Sequence, residues 1–287
     1  MASVINTNLL SLNAQRNTAA SQSQLATSLQ RLSSGMRVNS AKDDAAGLSI
    51  SERLNAQVRG SNVAIRNAND GISLSQTAEG ALAKVNDSLQ RMRELAVQAR
   101  NATNTSADKD SLDKEFGELA KEIQRVLGGT TFNGRAVLAG DSGTQTFQVG
   151  ANVTSNDRID VATSNMTTAT EITTVAGTDN TGASRAVIDN TADGGTIDTV
   201  IGNIDTAINK VSSERATLGA AQNRMDQVIS NLQISVENQS AAKSRITDAD
   251  FAQETANLSR ANILQQAGNA MIAQANQIPS QVLSLLR

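Results

Sequence analysis

The sequence predicts a mainly α-helical protein in which both chain ends supply long helices to an antiparallel coiled-coil rod, with a small β-containing insert between them. Three observations carry this. Apolar residues step alternately by three and four along both flanks, which places them on one stripe of a helix. Between residues 130 and 195 the composition shifts to Thr, Gly, Asn, Asp and Ala with short alternating runs. Aromatic residues make up only 1 %, with four Phe and no Trp or Tyr. Aromatics supply the largest buried area per residue, so thin helix–helix seams are expected and a thick rounded core is not.

Taken in order, Ile5, Leu9 and Leu12, then Leu25, Leu29, Leu32 and Met36, mark the first helix. Gly35 and the polar run Asn39, Ser40, Lys42, Asp43, Asp44 break it. A second helix spans about Ala45 to Ala99, with Leu82, Val85, Leu89, Met92, Ala96 and Ala99 as a heptad seam. A third carries Leu112, Phe116, Leu119, Ile123 and Val126, and Gly128-Gly129 is expected to end it as a left-handed cap. Thr144–Val149 and Arg158–Val161 read as strands, and Glu171–Val175 and Ala186–Ile188 as two more. The seam from Ile197 through Ile204, Val211, Leu218 and Met225 to Val236 predicts a helix about 60 Å long, with Arg215 and Gln222 as polar seam positions. Leu258, Ile263, Leu264, Met271, Ile272 and Ile278 stripe a last helix, followed by Val282, Leu283, Leu285 and Leu286. Domains are therefore expected at 1–44 with 244–287, at 45–162 with 195–243, and as a short surface insert at 163–194.

Composition narrows function. There is no His and no Cys, which removes the commonest general base, thiol nucleophiles, disulfides and structural zinc sites. No phosphate-binding glycine loop or calcium-loop pattern occurs. The carboxylate pairs Asp43-Asp44 and Asp248/Asp250 fall in polar breaks between helices, where Asp caps helix N-termini. No catalytic residue, cofactor or metal site is expected. A net charge of −3 gives no nucleic-acid footprint, no apolar run is long enough to span a membrane, and Met1–Leu12 lacks the pattern of a secretory signal peptide. What remains is a structural subunit whose sparsely charged ends, striped with apolar residues, need helical partners.

The same ends resemble bacterial flagellin. The matching stretches are Ile5-Asn6-Thr7-Asn8, Arg31–Gly35, Arg37–Gly47, Ser244-Arg245-Ile246 with Asp248 and Asp250, and Ala273–Gln277 through Leu285-Leu286-Arg287. The resemblance covers roughly 1–150 and 197–287; about 163–194 matches nothing. It implies a homopolymer, the helical filament of the bacterial flagellum used for motility, with the two ends paired as an inner coiled-coil layer. By it, Ile5, Leu9, Leu12, Leu25, Leu29, Leu32, Leu258, Ile263, Leu264, Met271, Ile278, Leu283 and Leu286 serve polymerisation. It also implies type III export without a cleavable signal, an extracellular location, and as partners an export chaperone and the cap and hook–filament junction proteins. The stretch Leu89–Gln98 is similar to the one read by the vertebrate Toll-like receptor for flagellin, implying Gln90, Arg91, Leu95, Gln98 and Glu115 as innate-immune contacts. Met92 lies in the seam and Leu95 beside it. A hook–filament junction protein or a secreted coiled-coil adaptor shares such ends but needs few copies. A metalloprotease in the middle needs the histidines this chain lacks.

Overall fold

The structure is a computed structural model that describes residues 7–284, the side chains of 278–284 excepted. Ile5 and Leu286, and the side chains of Ile278 and Leu283, lie outside the described residues. Six α-helices are seen among them: α1 (Leu9–Ser34), α2 (Ala45–Ala99), α3 (Ser106–Gly129), α4 (Thr170–Ala176), α5 (Gly194–Thr247) and α6 (Phe251–Ser284). Four strands lie between α3 and α5: β1 (Thr131–Phe132), β2 (Arg135–Ala136), β3 (Gly143–Gln148) and β4 (Arg158–Thr163). The chain divides into two compact units, one from the two ends (up to Val58 and from Glu237) and the other from Arg59–Val236.

In the terminal unit α1 and α6 run antiparallel. The Asn8 side chain caps α1 by accepting from Ser11 N–H, and its amide donates to the Ala275 carbonyl at 2.7 Å. Gly35, with φ of 70°, ends α1 in the left-handed conformation that suits glycine. Beyond it Met36 bridges to Asp248, and Arg37 N–H donates to the Thr247 carbonyl at 2.7 Å. The aspartate pairs are structural. Asp44 accepts from Gly47 N–H at the start of α2, Asp250 accepts from Ala252 and Gln253 N–H at the start of α6, and Asp43 gathers the Asn39 and Ser40 N–H groups into a turn. Each satisfies donors that a helix start or turn would otherwise leave unpaired.

In the larger unit α5 runs antiparallel to α2, tied by Arg93–Asp205 (2.6 Å) and Arg100–Asp198 (2.9 Å), while α3 folds back along α2 with Arg91–Glu115 at 2.9 Å. The expected α2 seam is fully buried, with Leu82, Val85, Leu89, Met92, Ala96 and Ala99 all at 1 % exposure or less. It meets Phe116, Ala120, Ile123 and Leu127 of α3 and Ile197, Ile204, Val211, Leu218 and Met225 of α5 in one apolar cluster. Towards its start the α2 seam turns small: Ala64, Ala68, Gly71, Ser75 and Ala78 are buried there. A Cβ added to Gly71 would fall 2.5 Å from the Met225 methyl, so the small residues admit neighbours that larger ones would push away.

The strands β3 and β4 pair antiparallel, from Gly143 opposite Thr163 to Gln148 opposite Arg158. Ile159, Val161 and Thr163 alternate inward, as period-two patterning requires. Three expectations fail nearby. Glu171–Val175 is not a strand but lies in α4, because Ile172, Val175 and Ala176, at helical spacing, are buried together on one face. Ala186–Ile188 is extended without a ladder; Ala186 N–H donates to Val175 O, and Ile188 is buried. Gly128-Gly129 ends α3 without a left-handed cap. The next residue, Thr130, is extended (φ −77°, ψ 108°) and feeds β1 directly. The left-handed pair is Asn133 (φ 50°) and Gly134 (φ 80°), the two-residue turn joining β1 to β2.

Candidate assembly surfaces

The seam between α1 and α6 is built mostly from small and polar side chains, with four large aliphatic ones among them. On α1 it steps Ser11, Ala14, Thr18, Ser21, Leu25, Ser28, Leu32; on α6 it steps Glu254, Leu258, Ala261, Gln265, Gly268, Ile272, Ala275. Both keep a 4-3 rhythm and every member is buried or half-buried. A Cβ on Gly268 would lie 2.5 Å from Thr18 Oγ1, so this contact has no spare room. Among the described residues the one charged pair of this seam is Arg31–Glu254 at 3.0 Å, with the Ser28 hydroxyl donating to the second Glu254 oxygen at 3.0 Å. Burial pushes the Glu254 carboxyl up, but Arg31 and Ser28 outweigh it and hold the group below the ordinary glutamate range.

The end-helix residues expected to act together separate into two sets. Leu25, Leu32 and Leu258 are half-buried in the α1–α6 seam. Leu9, Leu12, Leu29, Ile263, Leu264 and Met271 face outward instead, with Leu9 and Ile263 each 66 % exposed. The cause is geometric: the sequence carries two stripes on each helix, and the inner one is too poor in large residues to register as apolar. Along one flank of the pair Leu10, Leu264 and Met271 line an apolar groove, while Arg31, Glu254 and Arg260 line a polar one nearer the α2 end of α1. The unpartnered leucines are what a helix pair awaiting further helices would present.

The α2–α3 surface is different in kind. Gln90, Arg91, Gln98 and Glu115 are exposed, with Arg91 held between Glu94 and Glu115 at 2.9 Å each. Leu95 does not join them. It is fully buried, like Met92, because α2 is flanked here by both α3 and α5 and its buried stripe is wider than a two-helix seam. A side-chain role for Leu95 is therefore in packing.

Sequence reasoning missed a clasp between α3 and the segment after α4. Asp113 on α3 takes both terminal nitrogens of Arg185 and the Ile188 N–H, with the Arg185 guanidinium 6.0 Å from the centre of the Phe116 ring. Gln124 donates to the Gly177 carbonyl beside it. Desolvation pushes the Asp113 carboxyl up, yet Arg185 and the backbone donor outweigh it and keep it below the usual aspartate range. Met166, Ile172, Val175, Ala176 and Ile188 enter the core around this clasp. Among the described residues no group of His, Cys, Asp or Glu could hold a metal ion, and no helix is long and apolar enough to cross a membrane.

With these surfaces in view, the comparisons with known proteins are direct. Residues 5–143 match the bacterial flagellin N-terminal helical region and residues 201–286 the bacterial flagellin C-terminal helical region. A flagellin of Halalkalibacterium halodurans is 46 % identical over 99 % of this chain and 100 % of its own length. A flagellin of Bacillus subtilis is 41 % identical over 99 % of each chain. A Vibrio parahaemolyticus protein described as flagellar hook-associated shares the fold at a TM-score of 0.59, with 14 % identity, over 72 % of this chain and 100 % of its own.

Proposed function

The chain belongs to the bacterial flagellin family, structural proteins that polymerise into the extracellular flagellar filament, and from that premise we propose that the outward faces of α1 and α6 are its polymer contacts. The observation that carries this is the row of exposed Leu9, Leu12, Leu29, Ile263, Leu264 and Met271 around a seam that is itself mostly small and polar. Large apolar side chains left in water on a helix pair are stabilised by burial against further helices, at roughly 25 cal/mol per Å² covered. Copies of the same chain supply those helices, and the Arg31–Glu254 pair fixes the register of α1 on α6 within each copy. The parts 1–44 and 244–287 then form an inner layer and 45–162 with 195–243 the layer around it, while 163–194 packs Met166, Ile172, Val175, Ala176 and Ile188 into that second layer and turns its exposed residues outward.

Family membership supports the remaining partners: an export chaperone on the C-terminal segment, the cap and hook–filament junction proteins at filament ends, and delivery by type III export. Exposure of Gln90, Arg91, Gln98 and Glu115 supports recognition of the monomer by the Toll-like receptor for flagellin, with Leu95 acting beneath that surface. The deciding experiment removes residues 1–30 or 258–287 from the purified chain and seeds filament growth. Loss of filaments from both truncations, with the larger unit still folded by circular dichroism, is expected. Filaments of unchanged length from both overturn the proposal.

A further inference from the structure

Among the described residues the methionines differ sharply in exposure. Met92, Met166 and Met225 are fully buried in the larger unit, whereas Met271 is 62 % exposed and lines the apolar groove of the terminal unit with Leu10 and Leu264. Met36 is intermediate at 38 %, and it sits at the α1 end in the backbone bridge to Asp248, away from that groove. Only a solvent-facing thioether meets a dissolved oxidant readily.

We propose that Met271 is an oxidation site that controls whether a subunit can assemble. The inference rests on the reading that copies of this chain cover the α1–α6 groove in the polymer. A peroxide delivers one oxygen to the thioether: its O–O bond breaks, an S–O bond forms, sulfur loses two electrons, and hydrogen peroxide leaves as water. The product is a methionine sulfoxide, larger and more polar than the thioether, in a groove whose apolar area comes from Leu10, Leu264 and Ala267 and whose polar lining is Asn13, Asn17, Thr18, Ser21 and Gln274. Met271 is 62 % exposed, so its outer face is the part a further subunit covers; where that subunit presents apolar side chains, the sulfoxide loses its water there at a cost of about tenfold or more in an association constant. Leucine at the same place keeps the apolar volume and removes the reactive sulfur. The modification therefore acts on the free subunit, and assembly protects the site.

The test treats full-length monomer with hydrogen peroxide, maps the one-oxygen mass increase by peptide, and measures elongation on filament seeds. Oxidation is expected at Met271 ahead of Met92, Met166 and Met225, with the critical concentration raised about tenfold. Treated Met271→Leu should elongate like untreated protein, treated Met36→Leu should fail like treated wild type, and a methionine sulfoxide reductase should restore growth. Peroxide applied to finished wild-type filaments should modify Met271 at least several-fold more slowly than in monomer, a readout that stands even where Met271→Leu assembles poorly. Equal oxidation rates in monomer and filament, or normal elongation of fully oxidised wild type, overturn the inference while leaving the filament reading intact. Absence of filaments from untreated wild type overturns both.

Discussion

In the larger unit the seam residues of α2, α3 and α5, such as Leu82, Leu89, Leu127 and Ile204, are sealed from water; in the terminal unit Leu9, Leu12, Ile263 and Met271 point outward around a seam of Ser, Thr, Ala and Gly that holds only four large aliphatic residues, Leu25, Leu32, Leu258 and Ile272. Both units use the same 4-3 helical rhythm, so rhythm alone does not decide which residues are core. The size of the residues on the stripe decides it. Where the stripe is Leu, Val, Met and Phe, burial within one chain is worth about 1.5–3 kcal/mol per side chain, and the unit closes on itself. Where it is Ser11, Thr18, Ser28, Ala261 and Gly268, little free energy is gained by closing, and the large residues beside the stripe stay exposed.

Substitutions can pull this contrast apart, beginning with the largest effect. Asp113→Ala should destabilise the larger unit by about 3–5 kcal/mol in urea, because it strands the half-buried Arg185 and the Ile188 N–H. A loss below about 1 kcal/mol would mean that water replaces the carboxylate. Leu89→Ala, in the fully buried seam, should cost about 2–5 kcal/mol with little effect on assembly contacts. Gly268→Ala should part α1 from α6 at a cost of about 1–3 kcal/mol, and Thr18→Gly in the same chain should recover most of it. Melting followed by a spectroscopic label on α6 would read this.

A pH series sharpens the comparison further. Asp113 and Glu254 are both held below their unfolded values of about 3.9 and 4.3. Their contributions are complete above those values and vanish as pH falls through the lower, folded ones. Both units should therefore weaken on acidification below about pH 4, and the gap between wild type and Glu254→Gln should close there. A gap that widens in acid contradicts the assignment. The smallest effect is expected from Leu9→Ser: within about 0.5 kcal/mol in monomer stability, since the side chain is 66 % exposed, yet with impaired elongation on seeds.

How much of this was legible depended on residue size in the same way. The Leu82-to-Ala99 seam, the long α5 stripe and the strands at 144–149 and 158–161 declared themselves because large apolar residues recur at one period. The capping roles of Asp44 and Asp250 followed from polar breaks ahead of apolar runs. Of the Ser11-to-Leu32 heptad only Leu25 and Leu32 showed, since hydrophobicity does not register its other members, Ser11, Ala14, Thr18, Ser21 and Ser28. Glu171–Val175 misled because Thr and Val favour strands, while Ile172, Val175 and Ala176 packing against the core favoured a helix. The Asn133-Gly134 dipeptide was a readable hairpin signal, overshadowed by the double glycine before it. The Asp113–Arg185 clasp joins residues 72 apart in sequence and left no local trace.

The small-residue seam has a consequence for timing. A pair of helices that gains little by closing opens at low cost, and on the proposed reading only the closed pair presents the polymer face. Two free subunits meeting in solution must both bear that ordering cost before any contact rewards it. A growing end, already ordered, halves the burden. Growth from existing ends is thus favoured over spontaneous nucleation, and a concentrated pool of subunits can stay monomeric until it reaches a template.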